Sequence, residues 1–348
     1  MTFVSPHCAR SAPNFDPMNK VLVLGAGGQI GTELVAALRS ERGPENVWAA
    51  DLRADALIQP AVALDATDAA AVRALVAREG IREVYQLVAM LSATGEKMPD
   101  KAWALNMDTL FIVLDMAKEG LLDRVFWPSS IAAFGPTTPR VDTPQYTVMD
   151  PTTVYGVSKL AGELWCQYYR QKFGVDVRSL RYPGLISWKT PPGGGTTDYA
   201  IDIFHAARRD GRYTSFLDAE TRLPMMHMED AIRATLQLMA APKESLSVHT
   251  SYNVAAVDFT PAELAAAIAD KADLTKDQAN RVLNAVLEEI TNALNRKDSV
   301  TLVGFGTFVQ RHRGARTGKN PQTGEPVQIK ASNTVAFKPG KSLKDAVN

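Results

Sequence analysis

Tyr155 and Lys159 stand four residues apart in the stretch "TTVYGVSKLAGEL". Helical spacing puts both on one face. A phenol with a free pKa of about 10 is a poor base at neutral pH. A neighbouring ammonium stabilises the phenolate and so lowers that value. Ser130 closes the stretch "DRVFWPSS" (123–130) and can hold a substrate oxygen beside the phenol, with Ser129 as the alternative donor. On its own, Y-x-x-x-K is an ordinary surface pair. The rest of the chain has to decide between base and bystander.

The decision comes from "KVLVLGAGGQIGTEL" (20–34). An apolar run of the buried parallel-strand type leads straight into Gly25, Gly28 and Gly31, then into a helical pattern. Such a turn brings backbone N–H groups and a helix N-terminus against a pyrophosphate. The spacing is G-x-x-G-x-x-G, which is weak alone. Twenty residues after Gly31, "NVWAAD" reads as a second strand ending in Asp51. A carboxylate there binds both ribose hydroxyls and repels a 2′-phosphate, favouring NAD over NADP. Arg53 blurs that preference slightly.

These residues need a scaffold, and the pattern supplies one. Strands are expected over 82–90, 123–130 and 175–184, with helices over 101–119 and 152–174. Alternation of this kind argues for α/β architecture with a doubly wound parallel sheet.

Composition sets the bounds. The chain has 348 residues, 46% hydrophobic and 22% charged, as in ordinary globular proteins. No apolar run is long enough to span a membrane, so no membrane partner is expected. Residues 1–17 lack the apolar core of a signal peptide and read as a disordered tail before Met18, with Met18 the expected start. Cys8 and Cys166 are too few for a disulfide framework, and the five His form no cluster, so no metal is expected. The expected location is the cytoplasm. Net charge is zero, yet residues 299–348 carry eight Lys and Arg against Glu325 and Asp345. Such a basic segment suggests a polyanion partner, or else a solvated basic face.

With "GAGGQIGTEL", "MLSATGE" (90–96), "FWPSSIAAFGPTTP" (126–139), "PTTVYGVSKLAGE" (151–163), "RYPGLISW" (181–188) and "PPGGGTTDYAIDIFHAA" (191–207), residues 18 to about 262 resemble the short-chain dehydrogenase/reductases. More narrowly, they resemble the short-chain type of L-threonine 3-dehydrogenase. The resemblance implies a Rossmann-type fold and oxidation of the threonine alcohol to 2-amino-3-ketobutyrate as NAD⁺ becomes NADH. By that resemblance Tyr155 is the general base, Lys159 tunes it and binds the nicotinamide ribose, and Ser130 holds the reacting oxygen. The cofactor contacts implied are Gly25, Gly28, Gln29, Ile30, Gly31, Asp51, Asp65, Leu87, Ala89, Asn106, Tyr155, Lys159 and Tyr182. The implied amino-acid pocket is Ser92, Ser130, Tyr155, Thr196, Thr197 and Asp198, with Asp198 facing the ammonium. The family pattern continues for several elements beyond "YNVAAVDFTPAELAAAI", and those elements of the substrate lobe are missing here.

From Phe259 the character changes. Helices are expected over 261–272 and 274–298, the second with Thr275 as N-cap and Val282, Val286, Ile290 and Leu294 as its core stripe. A strand pair over 299–313, a basic arm "RTGKNPQTGEP" (316–326), a returning strand over 327–337 and a short terminal helix follow. With "LVGFGTF", "GARTGKNPQTGEPVQI" and "FKPGKSLKDAVN", residues 259–348 resemble the HU/IHF histone-like DNA-binding proteins, an α+β domain with a β-ribbon arm. The resemblance makes Pro321 the wedge that enters the minor groove and kinks the duplex. It sets Arg311, Arg313, Arg316, Lys319, Asn320, Lys330 and Lys338 on phosphates and groove edges of double-stranded DNA, largely independent of sequence. It also implies a homodimer.

The expected organisation is a tail (1–17), an NAD-binding domain (18–258) and a DNA-binding domain (259–348), joined through one shared helix with no Gly/Ser or Pro-rich spacer. Three functions fit: a dehydrogenase with a DNA-binding tail, a DNA-binding protein with a passenger, or an NAD-dependent epimerase or sensor on DNA.

Overall fold

The computed structural model describes residues 19–55, 57–187, 189, 195–203, 215 and 217–264. Further on it describes 296, 300–302, 306–313, 316–319, 326–329, 332–339 and 344. The expected tail, the helix over 274–298 and the terminal helix, apart from Arg296 and Lys344, lie outside the described residues. Among the described residues, two compact units divide between Ala262 and Glu263.

The first unit is built on a parallel sheet of six strands. These are β1 (Lys20–Leu24), β2 (Val47–Asp51), β3 (Ala61–Ala63), β4 (Ile81–Gln86), β5 (Arg124–Phe126) and β7 (Val177–Arg178). Their order is β3-β2-β1-β4-β5-β7, with every pairing parallel. This is the Rossmann-type doubly wound sheet. Strand β1 explains itself: Val21, Leu22, Val23 and Leu24 are all buried, so both faces need cover. Helix α1 (Gln29–Arg42) packs Leu34, Val35 and Leu38 on one side. Helix α2 (Ala69–Glu79) packs Val72, Leu75 and Val76 on the other. Asp68 caps α2 by accepting from Ala71 N, and Gly80 ends it in the left-handed region at φ 68°.

A single helical turn, α3 (Ser92–Gly95), precedes α4 (Pro99–Lys118). Helix α5 (Val154–Phe173) starts where Thr153 Oγ1 accepts from Gly156 N. It carries Trp165, Tyr168 and Phe173 part-exposed on its outer side, with Trp103 of α4 also exposed.

The expected strand over 123–130 is two strands. Trp127 N still donates to Arg178 O at 3.0 Å, but Pro128 has no N–H to continue the ladder. The chain therefore leaves the main sheet, and β6 (Ser129–Ser130) joins a small sheet with β8 (Leu180–Tyr182) and β11 (Tyr252–Asn253). The expected strand over 175–184 divides likewise into β7, β8 and β9 (Gly184–Ile186). Strand β9 pairs with β10 (Leu223–His227), which leads into helix α6 (Met228–Ala240). The expected strand over 82–90 stops at Gln86, where the Gln86 side chain turns to Val88 O and Thr109 Oγ1.

Strand β12 (Val257–Phe259) pairs antiparallel with β10, Phe259 opposite Leu223. Phe259 therefore pairs within the first unit. Residues 261–264 then begin a helix.

The second unit has β13 (Val300–Leu302), β14 (Gly306–Arg313) and β17 (Ser332–Pro339) in an antiparallel sheet. Strands β15 (Arg316–Lys319) and β16 (Pro326–Ile329) form an antiparallel ribbon with Lys319 opposite Pro326. The return over 327–337 is thus two strands, one for the ribbon and one for the sheet.

Candidate active site

The carboxyl ends of β1, β4, β6, β8 and β9 open onto one cleft of about 500 Å³. Open α/β sheets place ligands at this edge. Gly25, Gly28, Gln29, Ile30 and Gly31 form one wall, and Leu87, Ala89 and Ser92 another. Ser130, Tyr155 and Lys159 lie with Tyr182, Thr197 and Asp198 on the remaining sides.

The glycine wall is shaped for close approach. Gly25 sits at φ +81°, a conformation L side chains rarely adopt. A Cβ on Gly31 would come within 2.2 Å of Gly25 O, so only glycine lets α1 start tight against β1. Gln29, the first residue of α1, lines the cleft with a buried Nε2 that has no hydrogen-bond partner. An orphaned donor beside a helix N-terminus suits an anion. Asp51 Oδ2 accepts from Gly27 N at 3.0 Å, which ties the end of β2 to the same turn. The turn, the orphaned amide and the carboxylate together fit a nicotinamide dinucleotide.

At the cleft floor, Lys159 is buried and donates from Nζ to Pro128 O at 2.6 Å. Its Nζ lies 4.6 Å from the centre of the Trp127 ring and 5.4 Å from that of Tyr155. A Cβ on Gly162 would meet the Trp127 ring at 2.3 Å, so that glycine is what lets the indole slide under α5. Desolvation pushes the Tyr155 hydroxyl up to about 12, against a smaller downward pull from the Ser130 hydrogen bond. Desolvation also pulls Lys159 down to about 7. This corrects the expectation that the ammonium lowers the phenol. The amine is itself desolvated and committed to Pro128, so burial outweighs its field at Tyr155.

The two serines differ. Ser130 Oγ accepts from Ala132 N at 3.1 Å and lies beside Tyr155 in the cleft, where its hydroxyl draws the phenol's pKa down. Ser129 is buried and donates its Oγ–H to Glu163 Oε1. Ser130 is the serine that faces the phenol.

Other candidates fall differently. The Tyr182 ring lines the cleft, but its hydroxyl bonds to Thr235 Oγ1 on α6. Asn106 is buried away from the cleft: its Oδ1 accepts from Met90 N at 2.7 Å and its Nδ2 donates to Ser158 Oγ at 3.1 Å. Asp65 is exposed, and its Oδ1 accepts from Thr67 N and Oγ1; those bonds hold its carboxyl below the usual range. Asp51, Asp65 and Asn106 do not line the cleft. Asp198 is buried and accepts from Gly195 N at 2.6 Å. The Thr196 side chain lies outside the described residues.

Sequence reading missed the apolar lining, which includes Leu91, Ile131, Leu185 and Leu223. No motif marks them. It also missed Glu163, although that residue follows Lys159 by four on the same helix face.

In the second unit, Arg311 and Arg313 fall on β14, Arg316 and Lys319 on β15, and Lys338 on β17, where it is exposed. Asn320, Pro321 and Lys330 lie outside the described residues.

Comparison with known proteins agrees with both geometries. Residues 21–255 match the model of the NAD dependent epimerase/dehydratase family. Residues 259–348 match that of the bacterial DNA-binding protein. An uncharacterised epimerase/dehydratase of Staphylococcus aureus is 49% identical over 249 residues, which is 70% of this chain and 77% of that protein. Among solved structures, the GalE-like L-threonine dehydrogenase of Cupriavidus necator in its holo form is 54% identical, with a TM-score of 0.71. It covers 75% of this chain and 88% of its own. The L-threonine dehydrogenase of Phytophthora infestans is 41% identical with a TM-score of 0.70, covering 75% and 87%.

Proposed function

The chain belongs to the NAD dependent epimerase/dehydratase family, and from that premise we propose that its first unit is an NAD⁺-dependent L-threonine 3-dehydrogenase. The observation that carries the reading is the meeting of Ser130, Tyr155 and Lys159 on the floor of one cleft, beneath the Gly25–Gly31 turn. Identity of 54% to a threonine dehydrogenase supports the substrate.

The residues divide the work. Gln29 and the backbone of the glycine turn would hold the pyrophosphate, and Asp51 the adenosine ribose. Bound there, NAD⁺ supplies the hydride acceptor for the carbon that bears the alcohol. Ser130 donates to the substrate hydroxyl oxygen and orients it on Tyr155. Tyr155 Oη removes the hydroxyl proton as the carbonyl forms. Lys159, released from Pro128 or shared with it, binds the nicotinamide ribose. Ser92, Thr197 and Asp198 face the amino-acid end, with the Asp198 carboxylate as counter-ion for the ammonium. Leu91, Ile131 and Leu185 keep water from the reacting carbon.

The second unit is proposed to bind double-stranded DNA through the β15–β16 ribbon, with little sequence preference. By its likeness to the HU/IHF proteins it completes its core with a second copy, so the chain is proposed to be a homodimer. A monomeric mass in solution would contradict that.

The test of the whole is two assays on the full chain. L-threonine with NAD⁺ should give NADH, and a gel shift should show DNA retained. DNA binding without turnover would leave the first unit a passenger; turnover without DNA binding would remove the second half of the reading.

A further inference from the structure

One buried ionic cluster lies just behind the cleft. Glu163 is fully buried, one helical turn beyond Lys159 on α5. Arg181 donates to both of its oxygens, from Nε to Oε1 at 2.9 Å and from Nη2 to Oε2 at 2.6 Å. Ser129 Oγ donates to Oε1 as well. Arg181 is 2% exposed, and its Nη1 continues to Gln145 O at 3.0 Å and Asn253 Oδ1 at 2.9 Å. A carboxylate so far from water needs paired donors, and this one has a bidentate guanidinium and a hydroxyl.

The placement of these donors is specific. Strands β6 and β8 run parallel with Ser129 opposite Arg181 and Ser130 opposite Tyr182. Both residues that grip Glu163 therefore stand side by side on neighbouring strands. Along α5, Tyr155, Lys159 and Glu163 recur every four residues on one face. Along the facing segment, three consecutive residues meet them, one each. Ser130 faces Tyr155 in the cleft, Pro128 O takes Lys159, and Ser129 takes Glu163. A slip of β6 by one residue would turn Ser129 toward the phenol and Ser130 away. The bond from Ser129 to Glu163 opposes that slip.

We propose that Glu163 is a positioning residue that acts through Ser129 to hold Ser130 in register with Tyr155. This rests on the reading of Ser130 and Tyr155 as the residues that carry the reaction. Ser129→Ala cuts the link and keeps the Glu163–Arg181 pair. Glu163→Gln removes the charge and loosens both links.

The experiment is steady-state kinetics with L-threonine and NAD⁺ on the full chain, paired with crystal structures of the unaltered protein and Ser129→Ala. Misplacement of Ser130 by about 1 Å should lower kcat by about 10-fold to 100-fold. The dissociation constant for NAD⁺ should stay within about twofold, because the link does not touch the glycine turn. The rise of rate with pH should move to higher pH, since Tyr155 loses the downward pull of the Ser130 hydroxyl. In the crystal, Ser130 Oγ should lie farther from Tyr155 Oη than it does in the unaltered protein. A folded Ser129→Ala or Glu163→Gln variant with unchanged kcat and pH profile overturns the proposal, as does an unmoved Ser130. If Glu163→Gln does not fold, Ser129→Ala decides. If the unaltered protein forms no NADH from L-threonine, the substrate reading falls and the two crystal structures decide the positioning role alone.

Discussion

Lys159 Nζ donates to the carbonyl oxygen of Pro128 at 2.6 Å while standing 5.4 Å from the centre of the Tyr155 ring. The amine is thus held beside the phenol by the backbone of the strand that carries Ser130. A buried amine with a single hydrogen-bonded carbonyl is poorly solvated, which is why its pKa falls to about 7.

That burial has a measurable cost. A folded-state pKa below the unfolded one means that the unfolded chain binds more protons between the two values. Stability from this group is therefore present above the unfolded pKa, near 10.5, and is lost as pH falls through that window toward 7. Lys159→Met should raise the melting temperature at pH 7 by more than at pH 9. The slope it removes is at most about 1.4 kcal/mol per pH unit. Calorimetry at the two pH values checks this, and an equal effect at both would contradict the assigned burial.

Turnover should climb with pH. Tyr155 acts as a base only when deprotonated, and its hydroxyl is raised to about 12 by desolvation. Below that value the phenolate fraction grows about tenfold per pH unit. A profile of kcat/KM for L-threonine should rise from pH 7 to pH 9 with no plateau. A plateau that begins near pH 7 would mean that the phenol ionises far more easily than its surroundings allow.

Cofactor choice should depend on Asp51. Its carboxylate bonds to Gly27 N, which fixes it at the glycine turn, and the proposed function sets the adenosine ribose there. Asp51→Ala should weaken NAD⁺ binding by about 10-fold, at about 1–2 kcal/mol for a lost charge-assisted bond, and narrow the preference over NADP⁺. Fluorescence titration with both nucleotides measures it. Equal affinity for the two in the unaltered chain would remove the role given to Asp51.

Much of this site was readable before the fold was known, for reasons that are local. Gly25 and Gly31 are named by a turn that other residues cannot make, and Gly28 by its spacing between them. Tyr155 and Lys159 are named by a four-residue helical spacing. The end of a short strand points to Asp51, which the fold ties to the glycine turn but leaves outside the cleft lining. What was not readable comes from long-range packing. Leu223 reaches the cleft from a strand far along the chain. Glu163 looks like a surface charge in "SKLAGELW", and only the parallel pairing of Ser129 with Arg181 reveals it as buried. The desolvation that reverses the Tyr155 shift also depends on how α5 closes over Trp127, where Gly162 permits the contact. Residues 123–130 read as one strand in the sequence but form β5 and β6, because Pro128 redirects the chain out of the sheet.

DNA binding should separate affinity from bending. Arg316, on β15, is assigned to phosphate, so Arg316→Ala should weaken binding on all sequences and reduce the salt slope by about 1. Pro321 is assigned to the wedge, so Pro321→Ala should reduce the bend angle more than the affinity. Gel shift over a salt series and a bend-angle assay read the two effects. A bend that survives Pro321→Ala would place the wedge elsewhere.

The central claim is that the phenol of Tyr155 takes the proton of the threonine alcohol, and one comparison reaches it directly. NADH formation from L-threonine is measured for the unaltered chain and for Tyr155→Phe, with NAD⁺ affinity measured on both. The account predicts robust turnover in the first and a loss of about 10² to 10⁴-fold in the second, with NAD⁺ affinity nearly unchanged, because only the ionisable oxygen is gone. A Tyr155→Phe chain that keeps most of its turnover would contradict it.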